Sequence, residues 1–185
     1  LPSAQRDWRA DVSRTGLITV RGDDLIVQNV RTFRWNGAET AEARWEDRLY
    51  ALSDLKGMEM FVSTWGNDNI AHILPSFVFG SGPPLVLSLE IRRERTEDFS
   101  PLAGFFKVYE LALIAADESD IVKVRSNYRN ETVRRYVIDV KPENAARLLA
   151  KYAELSHELD RQPRFYHTIW TNCTAADPCR ELARL

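Results

Sequence analysis

A cysteine and a histidine capable of nucleophilic and acid–base work stand far apart in this chain, at Cys173 and His72. Cys173 follows Thr171-Asn172 and precedes Thr174. Asparagine is a favoured N-cap, so the sequence places Cys173 at the first position of a helix or helical turn. The unpaired N–H groups and helix dipole there favour an anion, which lowers the thiol pKa and raises the thiolate fraction. The same N–H groups suit the oxyanion formed when a thiolate adds to an acyl carbon. These residue types point to thiol-dependent acyl transfer or hydrolysis through a covalent acyl-enzyme.

His72 lies in Asn69-Ile70-Ala71-His72-Ile73-Leu74, an apolar strand pattern just after a Gly/Asn turn. A solvent-seeking ring is out of place there, which makes it the candidate general base. The competing reading is a core histidine satisfied by a backbone carbonyl. His157 falls on the polar side of an amphipathic helix and is expected to be exposed, and His167 is a minor competitor. A third group should orient the imidazole. The strand patterns Ile70–Phe79 and Leu85–Ile91 are joined by the Gly80–Pro84 turn. If Val78 pairs with Pro84, His72 falls opposite Glu90, where facing Cβ atoms lie about 5 Å apart. Glu90 is therefore the expected orienting carboxylate, against a plain exposed strand residue. Ser88 shares its face and is the fallback.

Three dispersed histidines and a Cys-x5-Cys pair lack the spacing of a zinc site, so no metal or cofactor is expected. Six residues of continuous helix rise about 9 Å, too far for a Cys173–Cys179 disulfide, which needs Cα atoms within ~7 Å. Asp177-Pro178 reads instead as a fresh cap and first position. The disulfide, or Cys179 as nucleophile, therefore stays open as an alternative.

The elements that must position these residues are mostly strands. Leu17–Val20 and Leu25–Val30 flank a Gly22-Asp23-Asp24 hairpin turn. Further strand patterns are Arg44–Leu49, Met58–Thr64, Ile70–Phe79, Leu85–Ile91, Lys107–Ala115 and Val133–Val140, with a turn at Gly66–Asn69. Arg92–Asp98 is mixed in sign and expected as a solvated loop or strand end. A helix begins at Pro142, carries Leu148, Leu149, Tyr152, Leu155 and Leu159 on one face, and stops at Gln162-Pro163. A second helix is expected around Arg180–Leu185. Strands first and helices last predict an α+β fold, an antiparallel sheet with helices on one side.

The 185 residues suit a single domain, and 44% apolar with 28% charged content is that of an ordinary globular chain. A net charge of -2 carries no nucleic-acid footprint. Of the 25 cations five are Lys and 20 Arg, whose planar fork suits phosphate and carboxylate; an Arg-biased genome is the plainer explanation. No apolar run approaches the ~20 residues that cross a bilayer. The chain opens on Leu1 rather than Met, so it is expected to be a processed form or an excised piece, its targeting segment removed. Trp65, Ile70, Phe165, Tyr166 and Trp170 lie close in sequence to His72 or Cys173 and either line a common apolar groove or pack in the core.

Several segments together resemble the N-terminal periplasmic domain of the Lnb-type lipoprotein N-acyltransferase family. They include Val27–Phe33, Trp65-Gly66 before Ile70-Ala71-His72, and Ser88–Glu94. Phe105–Leu111, Asp117–Asp120 and Asn172-Cys173-Thr174 follow in order. The resemblance implies a papain-like fold of the permuted NlpC/P60 kind, in which the histidine strand precedes the cysteine helix. It implies a phospholipid acyl donor, a lipoprotein N-terminus as acceptor, and a periplasmic domain tethered to the inner membrane through parts outside this chain. The chain departs from the family's Asn-Cys-Thr-Thr at Ala175, and Asp177-Pro178-Cys179 follows, which bears on the helix after Cys173. Two other readings stand beside it: a cysteine amidase or peptidase acting on cell-wall peptides, and a non-catalytic sensory domain.

Overall fold

Alternating apolar residues drive much of the chain into strands, and glycines mark several of the turns. A computed structural model describes residue 3, residues 5–96 and residues 109–166, with backbone only over 67–70. Strands β1 (Leu17–Arg21) and β2 (Asp24–Arg31) form the expected hairpin, Gly22 supplying its positive φ of 60°. Short strands β3 (Arg34–Trp35) and β4 (Ala41–Glu42) pair with each other, and β5 (Trp45–Ala51) pairs with β2. Then β6 (Leu55–Trp65), β7 (Asn67–Phe79), β8 (Leu85–Arg92) and β9 (Glu110–Ala116) run antiparallel to one another in turn. Helix α1 (Glu118–Lys123) continues into a π-helical turn (Val124–Tyr128), and β10 (Thr132–Ile138) leads to the long helix α2 (Pro142–Arg161). The main sheet has eight strands in the order β1-β2-β9-β8-β7-β6-β10, with β5 added on β2.

The fold is α+β, with two corrections to the expected architecture. The sheet is mixed, because Arg31 of β2 pairs in parallel with Ala116 of β9. β9 is inserted between β8 and β2, and being antiparallel to one it runs parallel to the other. Helices also cover both faces rather than one. Leu85, Leu87, Leu89, Leu111 and Leu113 share a core with Leu148, Leu149 and Tyr152 of α2. The alternate residues Val86, Ala112 and Ile114 point the other way and pack with Phe61, Leu74 and Ile121 of α1. A six-residue helix is too short to show a 3.6-residue period, so α1 leaves no trace in the pattern.

Smaller differences have local causes. The turn before β7 is tighter than the Gly66–Asn69 signal suggests, closing on Gly66 at φ 74° so that the strand begins at Asn67. Arg92 is buried rather than solvated, its guanidinium donating to the carbonyls of Val12 (2.9 Å) and Ser13 (2.8 Å). Glu94 forms a β-bridge with Trp8. β2 bulges between Val27 and Val30, where Asn29 takes φ 60° and donates its N–H to Asp47 Oδ1. Beyond the bulge, Asp120 ties the end of β2 and the start of β3 to α1. Its carboxylate accepts from Arg31 Nε (2.8 Å) and Nη2 (3.0 Å), the Phe33 N–H (2.9 Å) and Trp35 Nε1 (2.6 Å). The helix expected around Arg180–Leu185 lies outside the described residues.

Candidate functional site

A turn of given length sets which residues face across the strands it joins. Ser76 pairs with Val86 and Phe77 with Leu85, the same register that follows from pairing Val78 with Pro84. Carried along both strands, it sets His72 against Glu90. His72 Nε2 lies 2.7 Å from Ser88 Oγ and 3.1 Å from Glu90 Oε1. Ser88 Oγ donates to the same Glu90 oxygen at 2.6 Å, and Arg125 Nη2 donates to it at 2.7 Å. His72 is 8% exposed, and the Glu90 side chain retains 19%. By strand alternation the group shares the face of Leu74 and Val86, opposite α2.

Burial alone would raise the Glu90 pKa. The charges of His72 and Arg125, with hydrogen bonds from His72 and Ser88, outweigh it and hold the carboxyl well below the usual carboxylate range. An ionised Glu90 can only accept hydrogen bonds. The single Ser88 hydroxyl proton goes to Glu90, so its oxygen accepts from His72. Both contacts therefore require a proton on Nε2 in the charged and the neutral ring alike, and in the neutral form this makes Nδ1 the basic nitrogen.

Three residues that sequence reasoning missed complete the network. Arg125, in the π-helical turn, also donates from Nη1 to Glu131 Oε2 at 3.1 Å. Glu131 in turn accepts from Ser63 Oγ at 2.5 Å, and Ser63 faces His72 across the β6–β7 ladder. No local pattern distinguishes Arg125 from the other arginines; only its place beside Glu90 in the folded chain does. A cavity of about 60 Å³ opens beside Glu90, with five arginines in its wall.

Other candidates fall elsewhere. His157 is half-buried rather than exposed, with Nε2 3.1 Å from Thr19 Oγ1. Tyr166 packs on the α2-side core, on the face opposite His72, so it does not join a groove there. Trp65 is 39% exposed at the end of β6. Cys173, Cys179, His167 and Trp170 lie outside the described residues, as does any Cys173–Cys179 bridge.

A family model for the Lnb N-terminal periplasmic domain matches residues 41–176, a span that takes in His72, Glu90 and Cys173. The chain belongs to that family. No match was found among curated proteins or among solved structures. Membership makes this Lnb-family chain a periplasmic domain of a kind related to lipoprotein modification. No helix among its described residues is long and apolar enough to cross a membrane.

Proposed function

We propose that this Lnb-family domain is a thiol-dependent acyltransferase, with Cys173 as nucleophile, His72 as general base and Glu90 as the group that orients His72. The observation that carries the proposal is the clamp on one imidazole nitrogen by Ser88 at 2.7 Å and Glu90 at 3.1 Å. A histidine that only fills a core needs no ionised carboxylate, still less one paired to a buried arginine. The protonated Nε2 leaves Nδ1 to take the thiol proton. The Cys173 thiolate then attacks an acyl ester carbon, and N–H groups of the helical turn that the sequence predicts at Cys173 would hold the oxyanion. The tetrahedral adduct collapses as His72 returns the proton to the leaving alkoxide, giving a thioester. An amine next attacks the thioester, His72 accepts its proton, and Cys173 leaves as thiolate. No cofactor takes part.

By family resemblance the acyl donor is a phospholipid and the acceptor is the N-terminal amine of a diacylglyceryl-cysteine lipoprotein. The resemblance also supports a papain-like fold of the permuted kind and an inner-membrane tether supplied by parts outside this chain. A second reading, a cysteine amidase or peptidase on cell-wall peptides, draws support from the small, polar cavity beside Glu90. Acyl label separates the two. Full-length protein is incubated with labelled phospholipid and a diacylated lipopeptide, and label is sought on Cys173 and on the lipopeptide amine. Cys173→Ser and His72→Ala are expected to abolish transfer while remaining folded. Undiminished transfer by Cys173→Ser, or wall-peptide cleavage without acylation, overturns the acyltransferase.

A further inference from the structure

The cavity beside Glu90 measures about 60 Å³. One water needs roughly 10–15 Å³ on this scale, so the space fits a cluster of about four to six such atoms, the size of a tetrahedral oxyanion. Its wall holds Arg9, Arg31, Arg93, Arg125 and Arg129 against two carboxylates, Asp11 and Glu90. Within the lining Arg125 pairs with Glu90 and Arg9 with Asp11, while their second carboxylates, Glu131 and Glu39, and the Asp120 that pairs with Arg31 stand outside it.

Hydrogen-bond accounting shows a deficit at this wall. Arg125 is 6% exposed, and its Nε finds no acceptor among the described residues. Arg129 donates Nε to the Ala38 carbonyl at 3.2 Å, while Asp11 Oδ2 stands 3.8 Å from its Nη2, beyond hydrogen-bond range. Burial, and behind it the Arg125 charge, depresses the Arg129 pKa, with Asp11, Glu90 and Glu131 offsetting only part. In the lining itself the cations outnumber the carboxylates five to two.

We infer that this arginine-walled cavity binds a phosphate group, carried by the headgroup of the acyl donor. The guanidinium fork matches phosphate oxygens two at a time. The headgroup assignment rests on the phospholipid reading proposed above. In a glycerophospholipid the phosphate and the acyl esters hang from one glycerol. Glu90 is both a wall residue and the partner of His72, so a phosphate seated here brings its esters to the His72 side of the sheet.

The test titrates full-length protein calorimetrically with inorganic phosphate, dihexanoyl-phosphatidylglycerol and phosphate-free dihexanoylglycerol. The phospholipid should bind at least tenfold more tightly than the diglyceride, and more weakly as salt rises. Arg129→Gln and Arg93→Gln should each weaken it about tenfold without lowering the ligand-free melting temperature. Should Arg129→Gln unfold, Arg129→Lys, which keeps the charge but not the fork, should still bind more weakly than wild type. Equal binding of the diglyceride, or wild-type affinity in the arginine variants, overturns the phosphate site. Inorganic phosphate binding as tightly as the phospholipid overturns the headgroup assignment. Transfer assays on the same samples separate this proposal from the acyltransferase. Phosphate-dependent binding in a protein that moves no acyl group keeps the cavity and discards the enzyme. Transfer indifferent to phosphate does the reverse.

Discussion

In the proposed mechanism His72 acts as a base at Nδ1 only while Nε2 keeps its proton, which the ionised Glu90 beside it favours. Replacing it tests the role directly. Glu90→Gln should lower acyl transfer by roughly 10²–10⁴-fold, the range associated with a positioned acid or base. It should also raise the pH at which Cys173 alkylates at half its maximal rate, because in the proposed dyad the imidazolium that stabilises the thiolate loses its carboxylate. A purely structural Glu90 would leave that pH unmoved. Arg125 carries a different burden, since it lies between Glu90 and Glu131 with its side chain 7% exposed. Arg125→Met would leave both carboxylates facing each other without a cation. Breaking a buried pair this way costs about 3–5 kcal/mol, to be read from denaturant unfolding. Arg125→Lys should recover only part, because one ammonium does not reproduce a fork that reaches two partners.

At the scale of elements, Asp120 shows how a short helix can matter to the sheet. Its carboxylate is fully buried and takes four hydrogen bonds, from Arg31, Phe33 and Trp35. Asp120→Asn should destabilise the fold by about 3–5 kcal/mol in chemical denaturation, because Arg31 is left buried and unneutralised. The bulge in β2 offers a backbone test. Asn29 sits at φ 60°, and Asn29→Val should cost roughly 1–2 kcal/mol while Asn29→Gly is tolerated. A melting temperature unchanged by valine would show that the strand re-forms without the bulge. The strands and α2 were legible because alternation and the 3.6-residue period extend over enough residues to show. α1 and the π-helical turn were not, being eleven residues together with a single apolar cluster at Ile121, Val122 and Val124.

For the whole molecule, the ion-pair network ties stability to pH. Glu90 titrates lower in the folded protein than the value of about 4.3 usual for an unfolded chain. Below that pH the unfolded chain binds the proton that the folded one refuses, so stability falls as pH falls toward the folded pKa. Above it the contribution is complete. Unfolding free energies measured from pH 7 downward should therefore decline for the wild type below about pH 4, and less steeply for Glu90→Gln. Parallel curves would mean that other carboxylates set the acid limit.

The facing of His72 and Glu90 was within reach of the sequence alone. A turn between two strands fixes the sum of paired residue numbers, and side chains alternate with a period of two. The same local rules determined the β1–β2 hairpin, the α2 face and the polarity of the strands. The groups behind the His72–Glu90 pair, Arg125, Glu131 and Ser63, followed no such rule. Arg125 reaches Glu90 across 35 positions and Ser63 reaches Glu131 across 68. Nor did alternation reveal that β9 lies between β8 and β2, or that α1 covers the face opposite α2. Strand order and helix placement depend on which apolar faces meet when the whole chain packs. A face is written in a few neighbouring residues, but its partner is chosen only by tertiary structure.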